Sequence, residues 1–158
     1  MISLFVYLSL LSLADAHLVI GDHAPRVSVV GLDGEPVSLP TDEIMAVTFF
    51  ATWCGPCHDA ISDLLAIQKS HGGLKILLVA VGEDANKVRR FLKERTSLMT
   101  VTVILDQTGT VARAWGQDRF PTTFLVDRNE IIRHINRGYG RGFRTRVQRW
   151  LGSMQGPE

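Results

Sequence analysis

Cys54 and Cys57 are the only cysteines in the chain, and the residues on either side of them limit the folds that are open to it. An unbroken apolar run, residues 45–51, leads into the pair and is typical of a strand buried on both faces. A helical pattern leaves the pair from Cys57 onward. Two thiols three residues apart at a strand-to-helix junction can form and break one disulfide. The helix N-terminus stabilises the reactive thiolate.

The first 16 residues are typical of an export signal. An apolar stretch from Ile2 to Ala14 ends in Ala14-Asp15-Ala16, which predicts cleavage before His17. The stretch carries no Lys or Arg ahead of it, so an uncleaved membrane anchor or a buried N-terminal helix stays open. It is shorter than the roughly 20 apolar residues that a membrane span needs. Export would place the two thiols in an oxidising compartment.

The disulfide that these cysteines could form closes a very short loop, and such a loop gains little chain entropy from cross-linking. We therefore expect the pair to be reactive. The alternatives are an inert surface disulfide and half of a zinc site, and a tetrahedral zinc ion would need further ligands. With 158 residues, 46% of them apolar, the chain predicts one domain, and its net charge of +1 gives no reason to expect nucleic-acid binding.

The hydrophobic pattern predicts an α/β fold with a mixed sheet and helices on both faces. We expect Trp115 and Trp150 to lie in the core. In chain order the predicted elements are a hairpin within 17–39 whose strands are 26–30 and 36–39, a strand over 45–51, a helix from Cys57, a strand over 75–81, a helix capped by Asp84, a strand over 101–105, a short helix over 111–115, strands over 122–126 and 130–136, and a final helix over 140–151.

Two motifs carry a resemblance to a known family: FATWCGPC at the strand-to-helix turn and FPTTFLVD about 65 residues later. With the leader hairpin, these motifs resemble the thioredoxin superfamily, in particular its exported TlpA/ResA-like branch, over residues 23–152. The resemblance implies a thioredoxin fold, a central mixed β-sheet flanked by helices, with an N-terminal β-hairpin extension. Residues 17–152 would form the domain, residues 153–158 a flexible tail, and the protein would be extracytoplasmic.

The pattern assigns the chemistry to the two cysteines. Cys54, at the first helical turn, would attack a substrate disulfide, and Cys57, more buried, would then release the product. Pro56 suits the opening turn because it needs no N–H there. Gly55 completes the turn, and by resemblance Trp53 flanks the site and shapes the surface that meets the substrate.

Phe120-Pro121 is the second predicted element of the site. By resemblance Pro121 is cis and stands beside the disulfide, and the backbone N–H and C=O of Phe120 are free to pair with an extended substrate. The alternative is an ordinary trans proline that begins a strand. Phe120 is bulkier than the residue often found there, which predicts a more apolar or narrower groove.

Two residues depart from the family pattern. Thr48 stands where cytosolic thioredoxins carry a buried Asp, and Ala60 stands where ResA-like proteins often carry a Glu. No proton shuttle can therefore be assigned, and Asp59, Asp63 or solvent could serve. Exchange should still proceed, because attack requires a thiolate rather than a general base.

The pentapeptide from Cys54 to His58 also spells the attachment motif of a c-type haem. A haem carrier would use His58 as axial ligand, with Met99 or Met154 opposite. The strand-to-helix setting and Pro56 have no role in such a carrier. We expect His58 instead to lie on the helix surface and to raise the local positive potential near Cys54.

The sequence as a whole predicts an exported thiol-disulfide oxidoreductase, a monomer without metal, nucleotide or haem. By resemblance it is a reductant of partner-protein disulfides, including those of apocytochrome c and of copper-site cysteines, fed by a membrane thiol-electron donor. Membrane contact would arise only if residues 1–16 stay as an anchor. A non-catalytic thioredoxin-like binding module is the rival interpretation. We expect the C-terminal arginines to lie on the solvated side of the last helix. The alternative is that they bind an acidic partner or lipid headgroups. These residues are Arg137, Arg141, Arg144, Arg146 and Arg149.

Overall fold

A computed structural model describes residues 17–40, 42–98 and 101–154. Five strands form one sheet in the order β3-β2-β1-β4-β5. β1 pairs in parallel with β2 and antiparallel with β4, so the predicted mixed sheet is confirmed. The elements are β1 (Ile44–Phe50), α1 (Gly55–Ser70), β2 (Leu74–Val81), α2 (Ala85–Lys93), a 3-10 turn (Thr96–Leu98), β3 (Thr102–Asp106), α3 (Thr110–Ala114), β4 (Thr122–Val126), β5 (Ile132–Arg137) and α4 (Phe143–Met154).

β1 is buried along its whole length, as the sequence predicts, and all of its residues except Thr48 are apolar, so core packs on both faces of the sheet. On one face, Ala46 and Phe50 share a core with both cysteines and with α1, α2 and α4. On the other, Val47 and Phe49 share a core with α3 and with the segment that precedes β1. Trp115 belongs to this second core and is 3% exposed. Helices therefore cover both faces, and the face under α1 positions the disulfide.

Side chains at the strand ends start the helices. The Asp84 carboxylate accepts hydrogen bonds from the Asn86 and Lys87 backbone N–H groups, which caps α2 as predicted. The buried Asp106 carboxylate does the same for α3, accepting from the N–H groups of Val111 and Ala112. Both caps lie at the carboxyl ends of parallel strands, on the same edge of the sheet as the end of β1.

The N-terminal hairpin folds back as predicted, but it is shorter than the sequence suggests. Val30 and Pro36 form a single β-bridge, and the Val37 N–H donates to the Val29 carbonyl at 3.0 Å. Pro36 has no N–H with which to continue a ladder, so two regular strands do not form. The sequence did not predict that the preceding residues bond to the start of β5, where the Gly21 N–H donates to the Ile132 carbonyl at 2.8 Å.

The C-terminal helix is shifted relative to its predicted bounds of 140–151. It begins at Phe143 and runs through Ser153 and Met154, two residues that the sequence assigned to the tail. Trp150 is only half buried and stacks on His134, with the ring centroids 4.5 Å apart. Residues 1–16 and 155–158, with their predicted signal and tail, lie outside the described residues.

The buried side of α4 consists of Phe143, Val147 and Leu151, which leaves the helix arginines on its outer side. Two of the five C-terminal arginines form ion pairs: Arg144 with Asp63 at 2.6 Å and Arg137 with Asp118 at 3.0 Å. No helix among the described residues combines the length and apolarity needed to cross a membrane.

Candidate active site

The turn between β1 and α1 holds both cysteines. Cys54 and Cys57 form a disulfide with their Cα atoms 5.3 Å apart. The Cys54 N–H donates to the Ala51 carbonyl, and the Cys54 sulfur caps α1 by accepting from the Cys57 N–H at 3.2 Å. Cys57 is fully buried, as predicted, whereas Cys54 is 5% exposed. The sequence predicts a more open Cys54, but in the oxidised state its sulfur is turned toward Cys57 and the helix.

Two aromatic side chains meet beside the disulfide. Trp53 is 68% exposed, the highest value for a large apolar side chain among the described residues. Its ring meets that of the half-buried Phe120 edge to face, with the centroids 5.8 Å apart. The Phe120-Pro121 peptide bond is cis, as predicted, and the Pro121 carbonyl accepts from the Gly138 N–H. The structure thus brings the two predicted parts of the site together.

Gly55 and Pro56 lie exposed in the first turn of α1. A Cβ added at Gly55 would meet no heavy atom within 4 Å, so packing within the chain does not require glycine at this position. Pro56 occupies the opening turn, where its missing N–H leaves no carbonyl unpaired. The surface in front of the disulfide is therefore open on this side.

The positions where related proteins carry acids are neutral and buried. Thr48 is fully buried, and its hydroxyl lies 3.0 Å from that of Thr123 on β4. Ala60 is also fully buried. Of the acids that the sequence offered as proton carriers, Asp59 is exposed, whereas Asp63 accepts from the Arg144 guanidinium and from the Tyr139 hydroxyl. Asp63 is thus engaged in holding α4 against α1.

A buried carboxylate that the sequence analysis missed contacts the active-site turn. Glu83 is 5% exposed and accepts from both the N–H and the hydroxyl of Thr52, each at 2.6 Å. The Lys87 ammonium lies 2.7 Å from the same carboxylate. Burial raises the pKa of Glu83, but the hydrogen bonds from Lys87 and Thr52 and the Lys87 charge outweigh it. The pKa therefore lies below its ordinary value of 4.5.

Sequence features could have located Glu83. It follows a buried strand by two residues, and β1 and β2 are parallel neighbours, with Phe50 opposite Ala80. The carboxyl ends of parallel strands meet at one edge of a sheet, so an acid after β2 lies near the turn after β1. The family pattern carries acids at the positions of Thr48 and Ala60, and it gives no signal at Glu83.

His58 is part-buried rather than free on the helix surface. Its Nε2 atom lies 2.9 Å from the Thr52 carbonyl, and its ring packs on Phe91 at a centroid distance of 5.0 Å. Of the two alternative haem ligands, Met154 ends α4 and Met99 lies outside the described residues. Within the part of the chain that the structure describes, no three His, Cys, Asp or Glu side chains are grouped to hold a metal ion.

A disulfide at the start of a helix follows a buried strand, and the residue before a cis-proline packs on the tryptophan next to it. Together these features define a thiol-disulfide oxidoreductase with the thioredoxin fold. Comparison with known proteins agrees. The Redoxin family model matches residues 20–147, and the chain belongs to this family. The thiol-disulfide oxidoreductase ResA of Geobacillus thermodenitrificans is 33% identical over 127 residues, which cover 77% of this chain and 71% of that protein.

Two further comparisons support the same class of protein. The thioredoxin-like protein YneN of Bacillus subtilis is 30% identical over 125 residues, which cover 75% of this chain and 71% of that protein. A crystal structure described as a thiol:disulfide interchange protein DsbE from Chlorobium tepidum superposes with a TM-score of 0.79 at 25% identity. The superposition covers 88% of this chain and 99% of that one. The predicted TlpA/ResA-like thioredoxin relationship is confirmed.

Proposed function

We propose that this protein is an extracytoplasmic reductant of disulfides in partner proteins, with Cys54 as the nucleophile and Cys57 as the resolving thiol. The observation that carries the assignment is the unequal placement of the two sulfurs. Cys57 is fully buried, whereas Cys54 keeps 5% exposure in the oxidised state and adjoins the exposed Trp53. Of the two sulfurs, that of Cys54 is therefore the one that we expect a partner to reach.

The exchange proceeds in two steps. The Cys54 thiolate, stabilised by the positive end of α1, attacks one sulfur of a partner disulfide, and the other partner sulfur leaves as a thiolate. Cys57 then loses its proton and attacks the Cys54 sulfur. The Cys54–Cys57 disulfide forms, and the second partner thiol is released. Two electrons have passed to the partner, and a thiol donor at the membrane must return them before the next cycle.

The partner would bind over Trp53 and Phe120. Both rings are accessible beside the disulfide, and aromatic side chains supply much of the binding energy in protein interfaces. The hydrogen bonds found among the described residues leave the backbone groups of Phe120 unused, so an extended segment could pair with them. Disulfides of apocytochrome c and of copper-site cysteines are the first substrates to test.

The export pattern of residues 1–16 and the Gly-Pro pair between the cysteines support the location and the direction that we propose. The neutral residues Thr48 and Ala60 favour the rival, a binding module with a passive disulfide. The two functions differ in one observable, because only an exchanging protein forms a covalent intermediate with its partner.

The test is the Cys57→Ser variant of the full chain, expressed in its own compartment. We expect partner proteins to accumulate as mixed disulfides with Cys54, to be released by dithiothreitol, and to be absent from the Cys54→Ser/Cys57→Ser control. Failure to trap any partner would favour the binding module. A redox titration against dithiothreitol decides the direction, since a potential near or above that of glutathione would contradict a reductant.

A further inference from the structure

Thr52, two residues before Cys54, has all three of its polar groups engaged. Its N–H and hydroxyl donate to the two oxygens of Glu83, and its carbonyl faces the Nε2 atom of His58 at 2.9 Å. The N–H belongs to the peptide plane before Thr52 and the carbonyl to the plane after it. Glu83 therefore binds the first peptide plane, and His58 binds the second.

The second of these planes leads directly into Trp53. Because a carbonyl oxygen can only accept, the His58 Nε2 atom must carry the proton. A neutral imidazole with its proton on Nε2 can donate this hydrogen bond, and so can the charged ring. The contact therefore does not depend on the charge of the imidazole. The ring itself is held in place by Phe91, over which the Arg95 guanidinium lies at 4.0 Å. His58 is thus a donor that α2 keeps aimed at the turn.

We infer that His58 is a positioning residue for partner docking: its Nε2–H fixes the peptide that carries Trp53, and so holds the exposed indole beside Cys54 and Phe120. The inference rests on the proposed role of Trp53 as a partner contact. Little else restrains this indole, since it is 68% exposed and its one aromatic contact among the described residues is the T-shaped one with Phe120. The role differs from the electrostatic one that the sequence suggested for His58.

Three variants of the full chain test this assignment. His58→Leu keeps bulk against Phe91 but removes the hydrogen-bond donor, and His58→Asn has a donor that is too short to reach the Thr52 carbonyl. His58→Gln has an amide that can reach it. The protein substrate is insulin, whose disulfides this chain would reduce with dithiothreitol as the source of electrons. The small disulfide 5,5′-dithiobis(2-nitrobenzoate) requires no docking. The indole N–H signal of Trp53 in a ¹⁵N NMR spectrum reports its position independently of turnover.

We expect His58→Leu and His58→Asn to raise KM for insulin about fivefold, the factor that corresponds to one lost hydrogen bond. The kcat for insulin and the rate with the small disulfide should stay within about twofold of the unmodified chain. His58→Gln should restore KM. The Trp53 signal should move in the first two variants and stay in place in the third.

An unchanged KM in His58→Leu and His58→Asn would overturn the inference, as would a Gln variant that behaves like the Leu variant. If one variant does not fold, the other two still decide. An unmodified chain that reduces neither disulfide would refute the proposed function instead. In that case a Trp53 signal that stays in place in all three variants would refute the positioning role as well.

Discussion

Two polar clusters differ in charge: one lies on β1 itself, and the other follows its neighbour β2 and contacts the turn after β1. Thr48 and Thr123 form a neutral pair inside the core, on the face of β1 that packs under α1. Glu83 and Lys87 form an ionised pair at the sheet edge, where the Lys87 side chain is 52% exposed and the Glu83 side chain is 2% exposed. A charged pair is tolerated at the sheet edge, where the Lys87 side chain reaches water. The pair in the core, where neither side chain reaches water, is neutral.

The largest effect should come from placing a charge in the neutral cluster. Thr48→Asp buries a carboxylate without a cation, and we expect the free energy of unfolding to fall by about 3 kcal/mol at neutral pH. Burial would raise the pKa of this carboxyl, so the loss should shrink as the pH falls and the group becomes neutral. Urea denaturation at two pH values measures both effects.

Thr48→Val is the matched control for that experiment. It leaves only the Thr123 hydroxyl unpaired, which should cost about 1 kcal/mol and show no dependence on pH. If Thr48→Asp were as stable as Thr48→Val, the core beneath α1 would accept a charge, and the contrast between the two clusters would not hold.

A smaller effect is expected from removing charge at the sheet edge. Glu83→Gln takes away the negative charge next to the active-site turn and leaves Lys87 without its partner. The Cys54 thiolate should become more stable, so the reduction potential should rise by about 30 mV, equivalent to about 1.4 kcal/mol. Lys87→Gln is the paired control and should lower the potential. Shifts of the same sign in both variants would contradict this account.

The smallest expected effect is the contribution of Glu83 to the loss of stability at acidic pH. Because the pKa of folded Glu83 lies below its ordinary value of 4.5, the carboxylate adds stability that is fully present above that pH. The contribution is lost as the pH falls through the lower pKa of the folded state. Urea midpoints measured from neutral to acidic pH should therefore decline more steeply in the unmodified chain than in Glu83→Gln. Equal slopes would show that Glu83 adds nothing.

The strands and helices of the fold could be predicted because their signals are local. Residues 45–51 are apolar except for Thr48, and β1 occupies all but the last of these positions after starting one residue earlier. Strand β4 has the predicted bounds of Thr122–Val126. The start of α4 was predicted three residues too early, because the glycines at 138, 140 and 142 carry no apolar side chain to mark a boundary, and Gly138 and Gly142 adopt positive φ.

The candidate site was predictable only in part. Short motifs identified the cysteines, Trp53, Phe120 and Pro121, and the structure brings them together. Glu83 and the orientation of His58 were not found, because both depend on contacts between elements far apart in sequence. Thr52 and Glu83 are 31 residues apart, and only the parallel pairing of β1 and β2 makes them neighbours.

The bonds between the N-terminal segment and β5 place that segment at the edge of the sheet opposite the disulfide. β5 runs in the same direction as β1, since each is antiparallel to β4. The chain joins the sheet beside Ile132, at the start of β5, whereas the disulfide lies at the edge where β5 ends with Arg137. Five residue steps of a strand separate these edges by about 17 Å. A molecule held by its N-terminus would therefore present its reactive sulfur on the far side, directed away from whatever holds it.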